Sequence, residues 1–206
     1  MKSPNTLLAA LLLLSASSAI AASSVDLSVH GLITPSACEP GLSNGGNVDL
    51  GKLSAKDLNV ETTTNLQHHV LQLNVKCEAA TLLALEPRDN RAGSGHDETA
   101  ERFGLGLIND DEKLGDMALA LLNANADGAA SRTITSWDNV LTWHPSVYFR
   151  PGEILSFAMD TVNAPTPVRQ LFADFYVMPR IAPAKDLTLD SEVTIDGSVT
   201  LTVKYL

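Results

Sequence analysis

Apolar and polar residues alternate with a period of two through most of this chain, the pattern of strands with one buried face. The C-terminal run is the plainest case. Val199, Leu201, Val203 and Tyr205 share one parity, and Thr200, Thr202 and Lys204 share the other. Leu71, Leu73, Val75 and Cys77 alternate with Gln72, Asn74 and Lys76, a parity that points Cys77 inward. Near the start, Val25, Leu27 and Val29 fall on one parity, Gly31 takes the next step, and Ile33 resumes the row.

Further strands are expected at Val48–Leu53, Thr81–Leu85, Phe103–Leu107, Arg132–Thr135, Val147–Phe149, Ile154–Met159, Leu171–Met178 and Val193–Tyr205. Leu114–Leu122 competes between helix and strand. The turn-like Asn123–Gly128 that follows favours a strand leading into a hairpin. Arg88–Asp97 is polar and reads as a loop. Pro145, Pro151, Pro165, Pro167, Pro179 and Pro183 are expected between strands, where they interrupt no ladder. Many short strands with turn signals between them describe one all-β sandwich domain.

Composition adds a compartment. Residues 1–22 read as a signal peptide: Lys2 is the positive n-region, Leu7–Leu14 the apolar h-region and Ala19–Ala21 an A-x-A cleavage site. The apolar run is too short for a membrane span. The exported remainder is about 185 residues, enough for one good-sized domain. It carries 13 basic against 24 acidic residues, a formal charge of −11, which repels nucleic acid and anionic lipid. The two cysteines, Cys38 and Cys77, are expected to pair in an oxidising compartment, meeting across the core.

Candidate chemistry is sparse. His68 and His69 are adjacent, so on a strand they point to opposite faces and cannot chelate together. Asn123–Gly128 matches half of a calcium loop, but its twelfth position is Ile134 rather than glutamate. Ser94 and His96 lack the context of a nucleophile elbow. No metal, cofactor or catalytic residue is expected, and the chain is not read as an enzyme.

Three elements together resemble the pilin subunits of the chaperone–usher pathway, the type 1 fimbrial family. They are the alternating N-terminal segment with Gly31 seven residues before Cys38, the pair Val48–Gly51 and Leu71–Cys77, and the terminal strand with its penultimate Tyr205. The middle, Glu86–Asp190, departs from the pattern, which marks a divergent branch. The resemblance implies an incomplete immunoglobulin-like sandwich over residues 35–206, preceded by a donor-strand extension over 23–34.

Val25, Leu27, Val29, Gly31 and Ile33 would enter a neighbour's groove. Val199, Leu201, Val203 and Tyr205 would wall the groove that receives a strand or a chaperone. The implied partners are a periplasmic chaperone, an outer-membrane usher and neighbouring fimbrial subunits, with the product at the cell surface as an adhesive fimbria. The competing expectation is a self-complemented soluble periplasmic module that keeps its first strand and binds carbohydrate through Trp137, Trp143 and Tyr148.

Overall fold

The computed structural model describes Ser28 and residues 37–97, 101–138, 140–159 and 161–206. The chain divides into two units, residues 1–33 and 34–206, and the architecture below is that of the second. Val25, Leu27, Val29, Gly31 and Ile33, the expected donor residues, lie outside the described residues.

Eight strands carry the fold: β1 (Cys38–Leu42), β2 (His69–Thr81), β3 (Leu83–Asp89), β4 (Gly115–Ala126), β5 (Arg132–Ser136), β6 (Ile154–Ala158), β7 (Val168–Ile181) and β8 (Val199–Tyr205). The first sheet runs β1–β2–β7–β4, with Tyr148–Phe149 beyond β4. The second runs β5–β6–β3–β8, with His144–Pro145 beyond β5. All these pairings are antiparallel. Only three short 3-10 turns interrupt them among the described residues, and no helix there is long and apolar enough to cross a membrane.

The inward rows meet in one core, as an immunoglobulin-like sandwich requires. Leu73, Val75, Leu119, Leu121, Leu171 and Phe175 come from the first sheet, and Leu83, Leu85, Leu155 and Phe157 from the second. Leu114–Leu122 is a strand, as the turn after it predicts. Asp127 (φ 51°) and Gly128 (φ 87°) both take the left-handed conformation that a tight hairpin needs, and Ala126 pairs with Ala129.

Three sequence expectations are corrected. Cys38 and Cys77 are bonded, but they sit directly opposite each other on β1 and β2 of one sheet, with Cα atoms 4.0 Å apart, rather than across the core. Pro145 and Pro179 lie within strands, and so does Pro87. A proline lacks only its N–H, and the Pro179 carbonyl still accepts from the Leu66 N–H at 3.0 Å. Val48–Leu53 joins no ladder among the described residues, and Gly51 within it takes the left-handed conformation at φ 66°.

Candidate functional site

β8 closes one end of the second sheet and pairs only with β3 among the described residues. Its register sets Leu201, Val203 and Tyr205 opposite Pro87, Leu85 and Leu83, so the four predicted wall residues face inward. Yet Val199, Leu201 and Val203 are only half-buried and Tyr205 is 41% exposed, whereas Leu83 and Leu85 beside them are sealed. An inward apolar row left half-covered is a core surface without its lid.

The backbone of the same residues faces outward along the sheet. The ladder with β3 is bounded by Leu206 N–H to Leu82 O at 3.1 Å and Asn90 N–H to Ser198 O at 3.0 Å. Those bonds place the even-numbered residues on the β3 side. Alternation then turns the N–H and C=O groups of Val199, Leu201, Val203 and Tyr205 toward the open edge. Among the described residues, one row therefore offers apolar side chains and backbone with no strand partner together, the two things an added strand uses.

The row continues upstream of the ladder. Leu187, Leu189, Val193 and Ile195 keep the odd parity and are half-buried against the core, although residues 192–198 belong to no strand and the Asp196 N–H donates to the Leu105 carbonyl at 3.0 Å. Facing Leu189, Val193 and Ile195 are Val48 and Leu50 on the stretch after β1. Between the two segments lies a cleft of about 520 Å³, floored by Leu114, Met117, Val177 and Ile181 of the core. Gly197 lies where a Cβ would come within 2.8 Å of the Leu105 Cδ2, so a side chain there would require the Leu105 methyl to shift.

Side chains rather than a ladder fix this wall. Glu112 accepts the Thr188 N–H at 2.7 Å, and Asn109 donates to the Thr188 carbonyl at 2.8 Å. The Thr188 N–H, together with Asn109, holds the Glu112 carboxyl below its ordinary value of 4.5. Arg91 clamps the Asp196 carboxylate at 2.6 Å, and Lys52 reaches Glu192 across the cleft mouth at 3.7 Å. At the far end, the Cys38 N–H donates to the Tyr205 hydroxyl at 2.9 Å, which ties the two sheets together beside the disulfide.

Sequence reasoning found β8 but missed Leu187–Ile195 and Val48–Leu50 as walls. The signal was present in the first case, since the odd apolar parity of the last strand runs back to Leu187. The other candidates serve the fold. Ser94 donates to the Arg91 carbonyl and accepts the Gly106 N–H. Asn125 and Asp127 accept backbone N–H groups at their own hairpin and at Arg169 and Gln170.

Residues 27–102 match the family described as "Protein of unknown function (DUF1120)". Two proteins of Escherichia coli (strain K12) are similar over nearly their whole length. "Uncharacterized protein YhcF" is 29% identical, covering 93% of this chain and 94% of its own. "Protein GltF" is 28% identical, covering 96% and 95%.

A second cluster sits at the C-terminal end of β7, next to the cleft floor. Asp116 is fully buried and accepts from the Arg180 Nε at 2.6 Å, from the Arg102 Nη1 at 3.0 Å and from the Asp97 N–H at 3.1 Å. Arg180 stands directly opposite it on β7, and its guanidinium is pushed up by that carboxylate. This network fastens Asp97 and Arg102 to the sheet, with both carboxylates held by arginines rather than free for acid–base chemistry.

Proposed function

We propose that this chain is an exported structural subunit that joins its neighbours by strand addition, in the manner of the chaperone–usher pilins it resembles. Residues 23–34 of one copy enter the open edge of another, along Val199–Tyr205 and the cleft below Leu189–Ile195. The observation that carries this reading is the half-buried odd row of β8, whose open backbone groups belong to the same residues as its uncovered side chains.

Val25, Leu27, Val29 and Ile33 match that acceptor in period and character. Burying four aliphatic side chains yields about 6–12 kcal/mol of gross hydrophobic gain at about 1.5–3 kcal/mol each, with ladder hydrogen bonds added. Ordering the segment offsets part of it. A head-to-tail contact of this kind does not close on itself, so repetition makes a fibre. Before assembly the same edge needs a temporary partner, which is the place a periplasmic chaperone takes in this reading.

The test is the oligomer ladder of the surface fraction on gels run without boiling. Heat-labile, detergent-resistant multimers are expected from the full chain and none after deletion of residues 23–34. A ladder that survives the deletion defeats the donor assignment. A stable, soluble monomer of the full chain favours the self-complemented module instead.

A further inference from the structure

The outer face of the first sheet, away from the proposed strand-accepting edge, carries an apolar band exposed at Val70, Tyr148 and Phe172. Register puts Val70, Tyr176, Ala120 and Tyr148 in one row across β2, β7, β4 and the short strand beyond. Their inward neighbours Leu71, Phe175, Leu121 and Phe149 are in the core, which fixes the row as outward. Val70 is 47% exposed, Tyr148 46% and Phe172, two outward positions along β7 from Tyr176, 45%. Tyr176 is half-buried and Ala120 between the two tyrosines is only 3% exposed, so the tyrosines and Val70, not the alanine, form the accessible surface. Tyr176 and Tyr148 stand two strand spacings apart, about 10 Å.

Beside the row is a fixed polar group. The Asp174 carboxylate accepts from the Gln72 Nε2 at 2.6 Å and from the Asn123 Nδ2 at 2.6 Å. Those two amides hold Asp174 below its ordinary value, so it stays ionised and ordered at neutral pH.

We propose that this face binds an extended neutral glycan, its ring faces lying on Tyr176 and Tyr148 and its hydroxyls meeting the Gln72–Asp174–Asn123 group. A small molecule prefers a concave pocket, and this surface is a flat sheet. A peptide strand adds to an edge rather than to a face. A second copy packed face to face would bury two Asp174 carboxylates together, on chains that already carry a formal −10 each. The same charge opposes anionic polymers. A neutral polyhydroxylated chain meets none of these penalties, and aromatic rings joined to amide and carboxylate groups suit its mixed apolar and polar faces. Since the strand-accepting edge is elsewhere, every copy in an assembly would present this surface.

Affinity electrophoresis of the purified full chain tests it, with hydroxyethylcellulose, mixed-linkage β-glucan and galactomannan in native gels and alginate as the anionic arm. Retardation by at least one neutral polymer is expected, weakened at least tenfold in Tyr148→Ala and in Tyr176→Ala. Val70→Lys, at a half-exposed position, must show the same loss and serves if Tyr176→Ala does not fold. Trp137→Ala, which removes an exposed indole stacked on His144 at the end of the other sheet, should change nothing. Retardation by alginate alone, by no polymer, or to the same extent in Tyr148→Ala and Val70→Lys overturns the proposal; so does a loss confined to Trp137→Ala.

Discussion

The Cys38 N–H donates to the Tyr205 hydroxyl across 2.9 Å, so the first residue of β1 is tied to the last of β8. These two strands belong to different sheets, and Cys38 is also bonded to Cys77 in its own. The penultimate tyrosine thus closes one end of the open edge. It holds the two sheets together where no strand lies between them among the described residues.

Tyr205→Phe keeps the ring and removes that hydrogen bond. A loss of about 0.5–1.5 kcal/mol is expected, read as a lower urea midpoint with an unchanged slope. Tyr205→Ala removes packing as well and should cost more.

The disulfide closes a loop of 39 residues in sequence separation. Cys38→Ser with Cys77→Ser should cost about 2–5 kcal/mol. Chemical denaturation of the oxidised and double-serine chains measures it.

Asp116→Asn should be the most damaging isosteric change in the molecule. It leaves Arg180 and Arg102 facing a neutral amide in a site where Asp116 itself has no exposure. A loss of about 3–5 kcal/mol is expected, the usual cost of breaking a buried pair. Thermal melting of the variant beside Asp111→Asn, in an exposed turn, provides the comparison.

The Thr188 clamp gives the cleft wall a pH dependence. The folded state lowers the Glu112 pKa from 4.5, so the contact is fully present above the unfolded value and is lost as pH falls through the lowered folded one. Amide exchange at Thr188 should therefore be slow at pH 7 and accelerate as the pH falls through the lowered Glu112 value, beyond the intrinsic change. In Glu112→Gln the excess acceleration should disappear. An unchanged profile in that variant removes Glu112 as the cause.

Much of this architecture is legible in the period-two rows. β2 and β8 stand where alternation puts them, because one buried face demands it, whereas β4 is buried on both faces through Leu121 and shows no such alternation. Pairing is less legible than extension. Val48–Leu53 alternates like a strand, yet it breaks at the left-handed Gly51 and has no ladder among the described residues, since nothing in its own pattern says which neighbour supplies the hydrogen bonds. The prolines mislead for a related reason. Pro87 sits opposite Leu201, a pair whose backbone groups point away from the β3–β8 ladder, and β6 meets β3 only at Leu85. Its missing N–H is therefore not called upon. The Asp116–Arg180 pair gave one signal, an acid inside the apolar run Gly115–Leu122, but its partner lies 64 residues away and only the register joins them.

Donation between copies is the central claim, and complementation of two crippled chains tests it most directly. One lacks residues 23–34 and keeps its acceptor edge; the other carries Leu201→Lys with Val203→Lys and keeps its donor. Size-exclusion chromatography with light scattering should find no multimer in either alone and a one-to-one dimer, no larger, on mixing. If the mixture stays monomeric while both chains are folded, the segment is not passed from one subunit to the next.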